Sequence, residues 1–195
     1  MALTSLYLND NNFLDLDSVL LCDTLKNDYQ LTRLFLAHNR FGDAAGLRFG
    51  ELLAQNSTLK ELDLSWNCIR HRGGIGIATG LAKNSTLQCL HLDSNGIGDP
   101  AVAQLASVVA NNDTLEELHL DRNNVGEVGA LALAEALKRN KTLKVLSLSF
   151  NPVSQKGMQE LFGALLHNDT LEVRDLSGVK PPALQPCYAR YVSVP

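Results

Sequence analysis

The chain of 195 residues is 45% hydrophobic and 19% charged, a balance that supports one domain with a real core and excludes a disordered segment. A formal charge of −4 excludes a dedicated nucleic-acid binder, which needs a basic stripe to displace counterions from phosphates. No run reaches the roughly 18 apolar residues of a membrane span, and MALTSLYLNDNN lacks the basic and apolar parts of a leader, so a cytoplasmic protein is expected.

Leucine stands at Leu3, Leu31, Leu59, Leu87, Leu115, Leu143 and Leu171, an unbroken spacing of 28 residues. Each unit is numbered by offset from this opening leucine. The first unit continues with Leu6 and Leu8, then Asn11 and Phe13. Leucines two apart predict a short strand with one face buried, and the asparagine predicts a turn. The helical half that follows, DLDSVLLCDTLKND, is weak.

Units two to six, Leu31 to Thr170, are full copies of LxxLxLxxNxΦ, Φ being apolar. Their offset-eight asparagines are Asn39, Asn67, Asn95, Asn123 and Asn151. A buried amide donates and accepts at once, so stacked copies can satisfy the backbone groups that a sharp turn leaves unpaired. The period then changes. In VGALALAEALKRN apolar residues recur every three or four positions, predicting an amphipathic helix, with Asn56, Asn84, Asn112 and Asn140 where a left-handed helix cap is wanted. In Gly42-Asp43, Gly98-Asp99 and Gly126-Glu127 the acid is expected to cap its own helix. Arg70-His71-Arg72 replaces that pattern in the third unit and puts a basic tip on the rim, read first as drift on an exposed turn and second as a contact for an acidic partner or a phosphate.

The last unit departs from the pattern, with Arg174 in place of a leucine and Val179 in place of the asparagine. The expected organisation is a repeat domain over 1–179 and a non-repeat cap or tail over 180–195, KPPALQPCYARYVSVP. Nothing capping precedes Leu3, which points to a fragment of a longer chain or a partner over that edge. One strand plus one helix cannot bury its own leucines, but stacked units build a continuous core.

LxxLxLxxNxIG followed by a helix ending in LxxNxT resembles the ribonuclease-inhibitor-type leucine-rich repeats over residues 3 to about 176. Similar repeats occur in the Ran GTPase-activating protein, NOD-like receptors, and intracellular ciliary and cytoskeletal proteins. The resemblance implies an α/β fold: a right-handed solenoid or horseshoe with a parallel sheet on its concave face and helices on its convex face. It also implies a non-enzymatic scaffold that binds a protein through the concave face. The uniform unit and the four cysteines, Cys22, Cys68, Cys89 and Cys187, depart from ribonuclease inhibitor itself, and the neutral tail departs from the acidic tail of the Ran activator.

If the leucines at offsets three and five point inward, offsets two, four and six face the concave surface. Offset four then gives an aromatic end, Tyr7 and Phe35, followed by Asp63, His91 and His119; Trp66 and Phe150 stand nearby at offset seven. With Asp93, Glu117 and Asp121 these form the candidate partner surface, polar and acidic at its centre and suited to a protein with a basic or mixed surface. Neither nucleic acid nor membrane is expected as a partner. Cys89, His91, Glu117 and His119 are plausible metal ligands, but side chains on a gently curved sheet should stand parallel, so a recognition surface without metal or other cofactor is the reading.

Other motifs are absorbed by the repeat. Asn56-Ser57-Thr58 and its counterparts match the glycosylation pattern, but they recur every 28 residues as a helix end. The glycine-rich stretch at 72–76 opens a helix and lacks the lysine of a phosphate loop. Two alternatives to the scaffold remain: a GTPase-activating protein using Arg70 and Arg72 on the rim, and the recognition segment of a larger NOD-like or ciliary protein.

Overall fold

The computed structural model describes residues 3–175. Seven parallel strands lie in one open sheet in sequence order: β1 (Ser5–Tyr7), β2 (Arg33–Phe35), β3 (Glu61–Asp63), β4 (Cys89–His91), β5 (Glu117–His119), β6 (Val145–Ser147) and β7 (Val173–Asp175). Six helices alternate with them: α1 (Asp15–Leu25), α2 (Asp43–Gln55), α3 (His71–Leu81), α4 (Gly98–Val109), α5 (Glu127–Arg139) and α6 (Gln155–Leu165). The architecture is an α/β solenoid of stacked strand–helix units, with the sheet on the concave side and the helices on the convex side. Among the described residues, no helix is long and apolar enough to cross a membrane. The tail read over 180–195, with Val179 and Cys187, lies outside the described residues.

Each strand pairs with the next in strict register, Leu34 beside Leu62 beside Leu90 beside Leu118. These leucines, and Leu36, Leu64, Leu92 and Leu120 two residues on, are fully buried. Burying such a side chain contributes roughly 1.5–3 kcal/mol, and only a neighbouring unit supplies the cover. The first unit illustrates the rule: Leu6 and Leu8 are half-buried, and on α1 Leu16 and Leu20 are 83% and 76% exposed.

Two asparagine ladders tie the units together. The Asn123 amide nitrogen donates to the Leu92 carbonyl of the preceding unit (2.8 Å) and to the Asp121 carbonyl (3.1 Å). Its Oδ1 accepts from the backbone nitrogens of Asn95 (3.1 Å) and Ile97 (3.4 Å). Asn39, Asn67 and Asn151 repeat the arrangement. In the second ladder the Asn84 amide donates to the Leu53 carbonyl at the end of α2 (2.8 Å), and its Oδ1 accepts from the backbone of Thr86 and Leu87.

The second ladder corrects the expected left-handed caps. Asn56 and Asn140 are extended, with φ,ψ of −80°,134° and −68°,138°. Their side-chain amides satisfy the helix-end carbonyls that a left-handed residue would otherwise serve. The left-handed position lies at offset seven instead: Asp10, His38, Trp66, Ser94, Arg122 and Phe150 all have φ between 53° and 58°.

The acids after the turn also act across units rather than on their own helices. Asp15 accepts from the Gly42 backbone, Asp43 from Gly73 (2.6 Å) and Asp99 from Gly126 (2.6 Å), each anchoring the start of the following helix. His71 interrupts the series. The next helix, α4, has no side-chain cap; Gly98 there takes φ +68° and donates its N–H to the Asn123 carbonyl (2.8 Å).

The glycines of α3 have a packing role. A Cβ on Gly50 of α2 would overlap the Gly76 carbonyl, and one on Gly80 would overlap the Gly50 carbonyl, so α2 and α3 touch backbone to backbone. Gly163 on α6, by contrast, has open space around it among the described residues.

Replacing the buried Asn123 with Ala should lower the unfolding free energy by about 2–4 kcal/mol, because it strands several buried backbone groups. Asn11→Ala, at the exposed edge, should cost less than about 0.5 kcal/mol. Urea unfolding compares them, and equal losses would refute a load shared through the ladder. Gly50→Ala should destabilise by about 1–3 kcal/mol, whereas Gly163→Ala should stabilise by roughly 0.5–1 kcal/mol through helix propensity. Thermal midpoints moving in opposite directions are the expected result.

Candidate functional site

On the sheet face away from the helices, strict register turns equal offsets into direct neighbours, about 4.8 Å apart. Tyr7 stacks on Phe35 with ring centroids 4.6 Å apart and an interplanar angle of 5°. Asp63 follows, its Oδ1 accepting from the Ser65 backbone (2.9 Å). His91 and His119 then stack at 4.3 Å and 13°. Tyr7 is 63% exposed, while Phe35, Asp63, His91, Glu117 and His119 are half-buried.

Around the two imidazoles sit groups from offset two. The Cys89 Sγ lies 3.1 Å from His91 Nε2 and 3.5 Å from Glu117 Oε2. Glu117 Oε2 is also 3.5 Å from His119 Nε2, and Glu61 Oε1 is 3.8 Å from His91 Nε2. One ligand atom each from Cys89, His91 and His119 lie within 4.8 Å of one another. The two rings stand nearly parallel, as expected of side chains on a gently curved sheet, yet the thiol and the imidazole nitrogens lie close together over the β4–β5 pair. Burial, and after it the negative charge of Glu117, raises the Cys89 thiol well above its ordinary range, so it stays protonated at neutral pH. Burial likewise pushes the Cys22 thiol up to about 12. Neither is an activated nucleophile.

Two of the acids named from the sequence are committed to the scaffold. Asp93 Oδ1 accepts from the Asp121 backbone nitrogen (2.7 Å), and its Oδ2 accepts from Ser65 Oγ (3.3 Å). Asp121 in turn accepts from the Ser149 backbone nitrogen (2.7 Å) and from Ser147 Oγ. Offset six thus braces one strand end against the next. Both carboxylates remain half-exposed, at the floor of the face.

The left-handed residues at offset seven form a rim of rings and cations. Trp66, 50% exposed, stacks on His38 at 5.2 Å. Phe150, 55% exposed, carries the Arg122 guanidinium 4.2 Å above its ring. Sequence reasoning named Trp66 and Phe150 but missed His38 and Arg122; the signal was available, since each stands one unit from its ring at the same offset. Arg70 and Arg72 occupy exposed positions where α3 begins and make no ion pair among the described residues. Among the described residues, no ion pair joins them to the strand-face side chains.

A leucine-rich-repeat family model matches residues 55–78, 83–106, 111–134 and 139–162. Comparison with curated proteins returns no match. Among solved structures the chain is similar to "Leiomodin-1 Actin-Binding Site 2 (ABS2)", with 22% identity, a TM-score of 0.59, and coverage of 68% of this chain and 78% of that one. The matched segments begin at intervals of one repeat unit, and the sheet continues the same register through all seven strands. With leucines buried and asparagines bridging at the positions this repeat requires, the chain belongs to the leucine-rich-repeat family.

Proposed function

We propose that this chain is a non-enzymatic protein-binding scaffold whose concave face and offset-seven rim take a protein partner with a basic or mixed surface. The observation that carries the reading is the exposure of aromatic rings where the fold has no use for them. Tyr7, Trp66 and Phe150 are each at least half exposed. Trp66 and Phe150 also hold φ of 54° and 57°, a conformation that bulky residues adopt rarely and at an energetic cost. Aromatic side chains at such positions are typical interface anchors.

Charge supports the class of partner. Glu61, Asp63 and Glu117 line the centre of the face, so a protruding segment with Lys or Arg is complementary. Because the similar leiomodin-1 fragment is an actin-binding site, actin is the first partner to test. A second reading, GTPase activation, draws on Arg70 and Arg72, two exposed cations on the rim without ion pairs among the described residues.

Three baits decide between these readings: the wild type, a face variant Phe35→Ala/Asp63→Lys/Trp66→Ala, and a rim variant Arg70→Ala/Arg72→Ala, all verified as folded by circular dichroism. Binding to purified actin and capture from native extract should be retained by the rim variant and weakened about tenfold or more by the face variant. Equal binding by the wild type and the face variant would sink the concave-face reading. Stimulated GTP hydrolysis across a panel of small GTPases, lost in the rim variant, would establish the second.

A further inference from the structure

We propose that Cys89, His91 and His119 form a site for a borderline-soft divalent metal ion, with zinc the best chemical fit, on the open face of the β4–β5 pair. The inference is independent of whether a protein docks on that face.

Geometry favours the site first. Three potential ligand atoms lie within 4.8 Å of one another, and the thiol sulfur is already 3.1 Å from one imidazole nitrogen. Tetrahedral zinc, with Zn–S of about 2.3 Å and Zn–N of about 2.0–2.1 Å, needs its ligands about 3.3–3.6 Å apart. Binding requires both stacked rings to rotate about their side-chain bonds so that their in-plane lone pairs meet at a common point, a change that half-buried side chains on an open face can make. Glu117 Oε2, 3.5 Å from both Cys89 Sγ and His119 Nε2, stands ready as a fourth ligand.

The donor set selects the ion. A thiolate with two imidazoles suits zinc and its borderline neighbours, whereas calcium and magnesium require a shell of oxygens. On coordination the Cys89 S–H bond breaks, its proton passes to solvent, and the sulfur lone pair forms the bond to the metal. The imidazoles coordinate in their neutral form, and the carboxylates of Glu61 and Glu117 flank the cation.

The repeat, moreover, does not ask for these residues. At offset two the other strands carry Ser5, Arg33, Glu61, Glu117, Val145 and Val173, and at offset four Tyr7, Phe35, Asp63, Ser147 and Asp175. Neither offset contributes a side chain to the apolar core, so a thiol and two imidazoles brought together on adjacent strands reflect this face alone. The ligands are half-buried, sheltered enough to hold an ion and open enough to admit one.

The test is titration of the metal-free full chain with Co²⁺, read by absorption, followed by displacement with Zn²⁺. One equivalent of Co²⁺ should give the visible bands of a tetrahedral centre and a near-ultraviolet thiolate-to-metal charge-transfer band, both abolished by Zn²⁺. Cys89→Ser should lose the charge-transfer band, and His91→Asn and His119→Asn should each weaken the apparent affinity roughly tenfold or more. Cys68→Ser, at an exposed position elsewhere, should behave as wild type. All these side chains lie off the core, so far-ultraviolet circular dichroism should remain unchanged. A band that persists in Cys89→Ser, no band in the wild type, or histidine variants that bind as wild type would overturn the site.

Discussion

The buried side-chain amide at offset eight is the interaction on which the rest of this molecule depends. Strands of three residues cannot carry a sheet by backbone pairing alone, and the turn that follows each strand leaves carbonyls facing inward without partners. Asn67, Asn95, Asn123 and Asn151 supply the missing donors, each reaching into its own unit and the one before. Every amide is thus both a turn cap and a weld between neighbours, which makes stability a sum of nearest-neighbour terms. The leucines supply most of the driving force, but without the amides the sharp turn that aligns them would bury unpaired polar groups.

With the inner positions so tightly assigned, chemistry is confined to the outward offsets, and strict register decides which residues meet. Two residues one unit apart at the same offset are neighbours at strand spacing. Tyr7 meets Phe35 and His91 meets His119 at offset four; His38 meets Trp66 and Arg122 meets Phe150 at offset seven. The repeat length therefore acts as a contact rule for the face. It also explains how a polar cluster such as Cys89, His91, Glu117 and His119 assembles from residues distant along the chain, without any loop evolved to hold it.

That rule was legible in the sequence as far as one unit allowed. The alternation of strand and helix, the inward leucines and the bridging amides followed from periodicity and from the donor and acceptor capacity of asparagine. Relations that cross units at different offsets did not. Asp15, Asp43 and Asp99 look like caps of the helices they begin, yet each serves the next helix, because consecutive helices start side by side. Asp93 and Asp121 share an outward offset with no mark of their role as braces between strand ends. The glycines at 72–76 were legible as the opening of a helix, but their backbone contact with α2 was not. The close approach of the thiol to the imidazoles depends on side-chain rotation, which a pattern of inward and outward positions leaves free.

Strand geometry also sets the scale of any partner on this surface. From offset four to offset seven the chain advances three residues, about 10 Å along the strand direction. From Trp66 to Phe150 the rim crosses three units, about 14 Å across the sheet. A patch joining the central histidines to both rim aromatics falls well within the roughly 800 Å² per partner of a standard interface. Left-handed φ at Trp66 and Phe150 is the price of holding those rings at the rim, whereas Asp10 and Ser94 take the same conformation with small polar side chains. Because neighbouring units are joined by amides beneath the turn, that strain stays local to the rim. The welds and the recognition surface are therefore built from different offsets of one repeat, so the face can vary in chemistry while the core beneath it does not.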